Sequence, residues 1–321
     1  MTQQNFVKRR QQLWDKIEAV VNGGYKEIKA QSAWFPAAFR ELTQDLNTAR
    51  AHAFDPVLIE RLNRLVLEGN QLLYGQHSFS FKKFSDFILK TFPQAVRASW
   101  KGIAVAHLIF YGIAFFIIAL CFRFPDFVYE VLPENIAKQF EIMYDPESAH
   151  FLMPRNVSSD ADMYGYYIYN NISIAFRTFA GGILAGVGSL FILSFNALFM
   201  GAVTGHIINK GFFHTLFPFM IGHASFELFA IILSAHAGLL LGYSLFVTKG
   251  LTRQVSLRIA GKTAIPLITG SAILLVIAAV IEAFWSSKHQ IPIQIRYSVG
   301  AAGWLFLYLY FIFAGRGNKN D

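Results

Sequence analysis

Hydrophobic positions follow two regimes along the chain. Up to residue 101 they recur at helical spacing among polar residues. Phe6, Leu13, Ile17 and Val20 share one face of a helix expected over 5–21. Gly23-Gly24 separates it from a second helix expected over 25–49. Asp55-Pro56 opens a third, an acidic N-cap followed by a proline in the first turn. Its Leu58, Leu62, Leu65, Leu72 and Leu73 keep a period near 3.6 until Gly75, and 78–89 reads as a fourth helix. This predicts a small antiparallel helical bundle, with Arg61 and Arg64 on a solvated face. From residue 102 the pattern changes to long apolar runs of the length a bilayer demands. The runs place spans at 102–122, 171–194, 196–208, 219–247, 263–285 and 297–314. The third is short, so a re-entrant path is open for it.

The expected fold class is therefore all-α: a polytopic membrane helical bundle of about six spans behind an N-terminal cytosolic helical domain. The domain boundaries are 1–101 for the soluble bundle, 102–315 for the membrane part with an extracytoplasmic loop 123–170, and 316–321 for a cytosolic tail. Composition agrees. Of 321 residues, 54% are hydrophobic and 15% charged, where soluble domains carry about 25% charged residues.

The net charge of +8 would suit nucleic acid, but the basic residues flank apolar runs as orientation signals do. Residues 1–101 hold 15 Lys and Arg, and 248–262 holds Lys249, Arg253, Arg258 and Lys262 with no acid. The loop 123–170 holds only Arg123, Lys138 and Arg155 against eight acidic residues. Both termini are thus expected in the cytosol and the loop outside, in a bacterial inner membrane. Tyr164, Tyr166, Tyr167 and Tyr169 precede the second span at what would be headgroup level. Asn156-Val-Ser reads as a chance sequon. The single cysteine, Cys121, excludes an intramolecular disulfide and a cysteine metal cluster. Val7-Lys-Arg-Arg is basic, but no apolar run follows it as in a signal peptide.

Candidate chemistry lies in the apolar half. Ionisable groups there are costly and mark functional candidates. With the orientation above, Arg177, His206, His223, Glu227 and Glu282 all fall in the outer half of the bundle. His223 and Glu227, four apart, share a helix face that Ser234, Gly238 and Gly242 continue. Arg177 is expected to pair with Glu227 or Glu282, either fixing helix register or forming a proton, ion or substrate site. Asn196, at the start of the third span, is expected to hydrogen-bond across the core formed by spans two to four. Gly182 and Gly186, Gly201 and Gly205, and Gly238 and Gly242 form three small-xxx-small pairs in consecutive spans, which predicts close packing of spans two to four. His-x-x-x-Glu is half of a zinc-like spacing, which His206, His214 or Glu282 could complete. No metal, cofactor or catalytic residue is assigned. No nucleophile elbow, phosphate loop, dinucleotide fingerprint or aspartate dyad is present.

Asn170-Asn-Ile172, the small-residue run to Gly188, Asn196 with Gly201, His223-x-x-x-Glu227-Leu, Ala237-Gly-Leu239 and Ile281-Glu-Ala-Phe284 together resemble the stage II sporulation protein M family. In the soluble part, Phe39-Arg-Glu-Leu-Thr-Gln-Asp-Leu46, Leu62-Asn-Arg-Leu65 and Leu73-Tyr74 are similar as well. The sequence departs from the family pattern at Ala197, Ala224 and Trp285-Ser-Ser287. The resemblance implies a membrane scaffold, which in spore formers holds peptidoglycan-degrading enzymes. The long basic N-terminal part looks like the relatives found in non-sporulating bacteria, which occur near genes for MoxR-type ATPases and von Willebrand factor A-like proteins. The function expected is an inner-membrane scaffold or assembly protein, with a transporter or channel and an intramembrane hydrolase as alternatives. Its expected partners are the lipid bilayer, other membrane or envelope proteins, a MoxR-type ATPase system and further copies of the chain, with no nucleic acid.

Overall fold

A computed structural model describes residues 2–23, 27, 30–31, 33–74, 81–148, 157–248, 250–288 and 290–316. Gly75, the start of the expected helix 78–89 and the sequon at Asn156 lie outside the described residues. All regular structure among them is helical. The chain divides into two compact units, Met1–Phe84 and Ser85–Asp321.

The first unit packs three helices, α1 (Gln3–Asn22), α2 (Phe35–Ala51) and α3 (Pro56–Tyr74). Trp14, Ile17, Phe35, Leu42, Leu62 and Leu65 are fully buried between them. α2 starts at Phe35 with Pro36 in its first turn; of the earlier part of the expected helix, residues 27 and 30 are helical and 25–26, 28–29 and 32 lie outside the described residues. The Asp55 carboxylate caps α3 by accepting from Val57 N–H at 2.7 Å. Asp45 is buried and accepts from Trp14 Nε1 at 2.8 Å and from Arg10 Nε. That hydrogen bond holds the Arg10 pKa above its ordinary value. Arg61 donates to Asp15 and Glu18, and Arg64 to Glu18. Both arginines are spent on the unit's own surface acids.

In the second unit, a π-helical turn (Phe87–Thr91) and α4 (Phe92–Ala98) come before the first long apolar helix, α5 (Trp100–Arg123). Hydropathy puts a boundary at 101, but Phe92 is a core residue of this unit and packs on Gly270. The helices α6 (Glu134–Tyr144), α7 (Val157–Ala180), α8 (Val187–Asn209), α9 (Phe213–Phe246), α10 (Arg253–Ile281) and α11 (Ile293–Phe313) follow. A π-helical turn, Glu282–Ser286, continues α10. Among the described residues, five helices are long and apolar enough to cross a membrane: α5, α8, α9, α10 with its π turn, and α11. α7 matches them in length at 24 residues, but its asparagines, tyrosines, Asp160, Asp162 and Arg177 make it less apolar. The chain is thus an all-α helical membrane bundle.

α9 is the axis of this bundle. Its residues from Phe229 to Gly238 are buried all round, as a helix enclosed by others must be. α7, α8, α10 and α11 pack around it.

The division of spans two and three differs from the one read off hydropathy. α7 ends at Ala180, a tight turn occupies 181–186, and α8 runs unbroken over 23 residues. No short, separate helix exists at 196–208. The turn is Gly-Gly-Ile-Leu-Ala-Gly, as apolar as the helices it joins, so a hydropathy window passes straight through it. Glycine geometry makes the break. Gly186 sits at φ +83° and Ala185 at φ +59°, a region glycine enters without strain. Ser189 Oγ closes the hairpin on the Thr178 carbonyl at 2.6 Å.

The segment after α5 is a folded cap. Short helical turns from Pro125 to Val131 and then α6 lie over the end of α8. Val128, Leu132 and Ala137 bury against Ala202 and Ile207.

Candidate functional site

His223 lies ten residues into α9, about 15 Å from its start at 1.5 Å per residue, and Glu227 one turn further. The π turn brings Glu282 to the same place. Glu282 and Ser286, at the two ends of this turn, both face α9. Ser286 Oγ is 3.1 Å from His223 Nδ1. His223 Nε2 is 3.7 Å from Glu227 Oε2, beyond hydrogen-bond reach. One donor atom each from His223, Glu227 and Glu282 falls within 4.8 Å of the other two. His223 and Glu282 are buried, and the Glu227 side chain is 21% exposed. All three line a cavity of about 230 Å³ whose other walls include Phe140, Phe199 and Met220. The cap helix α6 contributes to that wall through Phe140.

The remaining candidates are placed elsewhere. His206 is buried and joins Glu141 of the cap, with Nε2 2.7 Å from Oε1. Lys210 Nζ reaches the same oxygen at 3.2 Å. Burial pushes the Glu141 pKa up, but the bonds to His206 and Lys210 outweigh it, so the net value lies below the ordinary one. Arg177 is not paired with Glu227 or Glu282. It is exposed and donates to the Ser173 carbonyl at 3.1 Å. The hairpin break explains this. Arg177 is one turn before 181–186, and that turn packs on Gly238 and Gly242 of α9. His223 and Gly238 are 15 residues apart, about 22 Å along the helix, so Arg177 belongs to the opposite end of the bundle. Asn196 does not bridge helices either. Its Nδ2 donates to Ile192 O of its own helix at 2.7 Å. His214 is exposed at the start of α9, outside the cluster.

The glycine pairs meet in two groups. A Cβ on Gly182 would lie 2.2 Å from Gly238 O, and one on Gly242 2.2 Å from Gly186 N. The 182/186 pair therefore faces the 238/242 pair, backbone on backbone. Gly201 and Gly205 face α5, where a Cβ would lie 2.7 Å from Ala114 O and from Cys121 Cβ respectively.

Sequence reasoning missed Arg296. It is 4% exposed and its guanidinium donates to the carbonyls of Ser286 (3.0 Å), Ile291 (3.2 Å) and Lys288. The last carbonyls of a helix have no intrahelical partner, and Arg296 supplies donors to the end of the π turn that carries Glu282 and Ser286. The available signal was an arginine at the edge of an apolar run, which is ordinarily a flanking charge. Lys288 also ion-pairs with the buried Asp160, tying the start of α7 to this end of the bundle.

Two family models match. One described as stage II sporulation protein M covers residues 103–287. The other, a domain of unknown function, DUF8413, covers residues 4–75. No curated protein and no solved structure matches the chain.

Proposed function

We propose that this chain, which belongs to the stage II sporulation protein M family, is a scaffold of the bacterial inner membrane that joins a cytosolic partner to an envelope partner. The observation that carries this reading is the two-module build. A compact helical unit with its own core and ion pairs matches one family model, and the membrane bundle matches another. A module with its own core, borne on a membrane bundle, suits docking. With α7 counted as a crossing there are six passes. Residues 1–99 and 247–252 then share the basic, cytosolic side, and the α6 cap faces outward. Transport would need a polar path through both halves. Toward the Gly238 end, His107 Nδ1 bonds the Ile103 carbonyl of its own helix at 2.9 Å, Asn196 bonds its own helix likewise, and His236 packs on Gly102. This arrangement favours the scaffold over a transporter.

A second reading, an intramembrane hydrolase, is favoured by the convergence of His223, Glu227 and Glu282 at a cavity. The test is crosslinking in native membranes followed by mass spectrometry, with the full chain compared against one lacking residues 1–84. A MoxR-type ATPase captured only by the full chain, together with a wall-acting enzyme captured by both, supports the scaffold. Capture of neither by the full chain overturns it.

A further inference from the structure

We propose that His223, Glu227 and Glu282 form a binding site for a zinc-type divalent cation. The site is independent of the scaffold reading and goes beyond it. The donor set is one imidazole nitrogen and two carboxylate oxygens, a combination that late first-row divalent ions accept. The spacing also suits an ion. Two ligands on a tetrahedral zinc, each about 2.0–2.2 Å from the metal, stand about 3.4 Å apart. His223 Nε2 and Glu227 Oε2 are 3.7 Å apart, too far for a hydrogen bond and close to that ligand separation. The third donor falls within the same 4.8 Å cluster.

The histidine gives an independent indication. His223 is 96% buried by its 4% exposure, lines the cavity, and its Nε2 makes no hydrogen bond among the described residues. His223 Nδ1 is 3.1 Å from Ser286 Oγ, and in the tautomer where Nδ1–H is the donor, Nε2 presents its lone pair to the carboxylates. Metal-binding histidines are held in this way, with the second nitrogen bonded to an outer partner that fixes the tautomer. A divalent cation placed between that lone pair and the carboxylate oxygens would be bound by both. No lysine or arginine lies within ion-pair distance of Glu227 among the described residues. Arg177 is at the other end of the bundle, and the hydrogen bonds of the Arg296 guanidinium go to carbonyls. A divalent ion with two carboxylates and a neutral imidazole is electrically balanced. Its remaining coordination position would face the cavity of about 230 Å³. The π turn is the structural device: it presents Glu282 as a ligand and Ser286 as the partner that orients the histidine, and Arg296 caps its end.

The experiment uses the full chain, purified in detergent, stripped with a chelator and titrated with Zn²⁺ and with Co²⁺ as a spectroscopic probe. We expect one equivalent bound per chain, a visible Co²⁺ spectrum of tetrahedral intensity, and a rise in thermal stability on Zn²⁺ addition. Ser286→Ala should weaken binding by about 10–100-fold, the usual effect of removing an outer-shell partner. His223→Ala and Glu227→Gln should weaken it further and abolish the tetrahedral spectrum, and His214→Ala should change nothing. Where His223→Ala fails to fold, Glu227→Gln and Ser286→Ala carry the same test. Folded wild-type protein that binds no ion overturns the proposal, as does binding unchanged by Glu227→Gln. Partner capture by the full chain is read in a separate assay, so failure of the scaffold leaves this result standing, and the reverse.

Discussion

Replacing Gly182 by alanine probes the contact that sets the hairpin against the central helix. The new Cβ would lie 2.2 Å from Gly238 O, 2.6 Å from Gly238 C and 2.7 Å from Gly238 Cα. All three are backbone atoms of a helix buried on every side, so no flexible side chain can swing away. One of the two backbones must move by about 1 Å to restore ordinary contact, roughly 3.4 Å or more. Overpacking of this kind costs typically about 1–3 kcal/mol, and contact with rigid backbone argues for the upper part of that range. Gly112 is the control. It lies on the exposed face of α5, and a Cβ there would meet nothing within 4 Å. Alanine at that position should be neutral or should stabilise by up to about 1 kcal/mol through helix propensity. The assay is thermal unfolding in detergent, followed by loss of the monodisperse elution peak. At about 2–4 °C per kcal/mol for a unit of this size, Gly182→Ala should lower Tm by several degrees relative to Gly112→Ala. Equal midpoints for the two variants would refute the reasoning, because only a backbone contact separates them.

Arg296→Met keeps the length of the side chain but leaves the carbonyls of Ser286, Lys288 and Ile291 without their donor. It should destabilise the protein by about 1–3 kcal/mol, read as a lower Tm. Glu141 makes the cap pH-sensitive. Its pKa is lowered in the fold, so its contribution is complete above the ordinary glutamate range, about 4.3, and is lost as pH falls through the lowered value. Glu141→Gln should flatten the dependence of Tm on pH in that acidic window, and an unchanged dependence would count against the His206–Glu141 contact. For orientation, Glu147→Cys and Gln254→Cys are introduced on a Cys121→Ser background, both at exposed positions. In intact cells an impermeant thiol reagent should label the first and spare the second, and the reverse pattern defeats the proposed topology.

Periodicity and hydropathy alone determined the class of this protein. A 3.6-residue rhythm among polar residues followed by apolar runs of bilayer length admits only helical structure, with a membrane helical bundle in the apolar part, because backbone polar groups in lipid must be satisfied within each segment. The family, too, was legible in His223-x-x-x-Glu227 and Ile281-Glu-Ala-Phe284. The break at 181–186 was not, since its residues are as apolar as the helices beside it and only backbone geometry at Ala185 and Gly186 turns the chain. That single shift moves Arg177 to the far end of the bundle and removes the expected ion pair. Helical spacing put His223 and Glu227 on one face, because an i, i+4 relation is local. It could not say which distant group would join them. His206 lay on a neighbouring segment but went to Glu141 of the cap, and Glu282 arrived through a π turn that no periodicity announces. Arg296 stayed hidden for the same reason: its role depends on which helix end packs beside it, and that is decided only when α9, α10 and α11 come together.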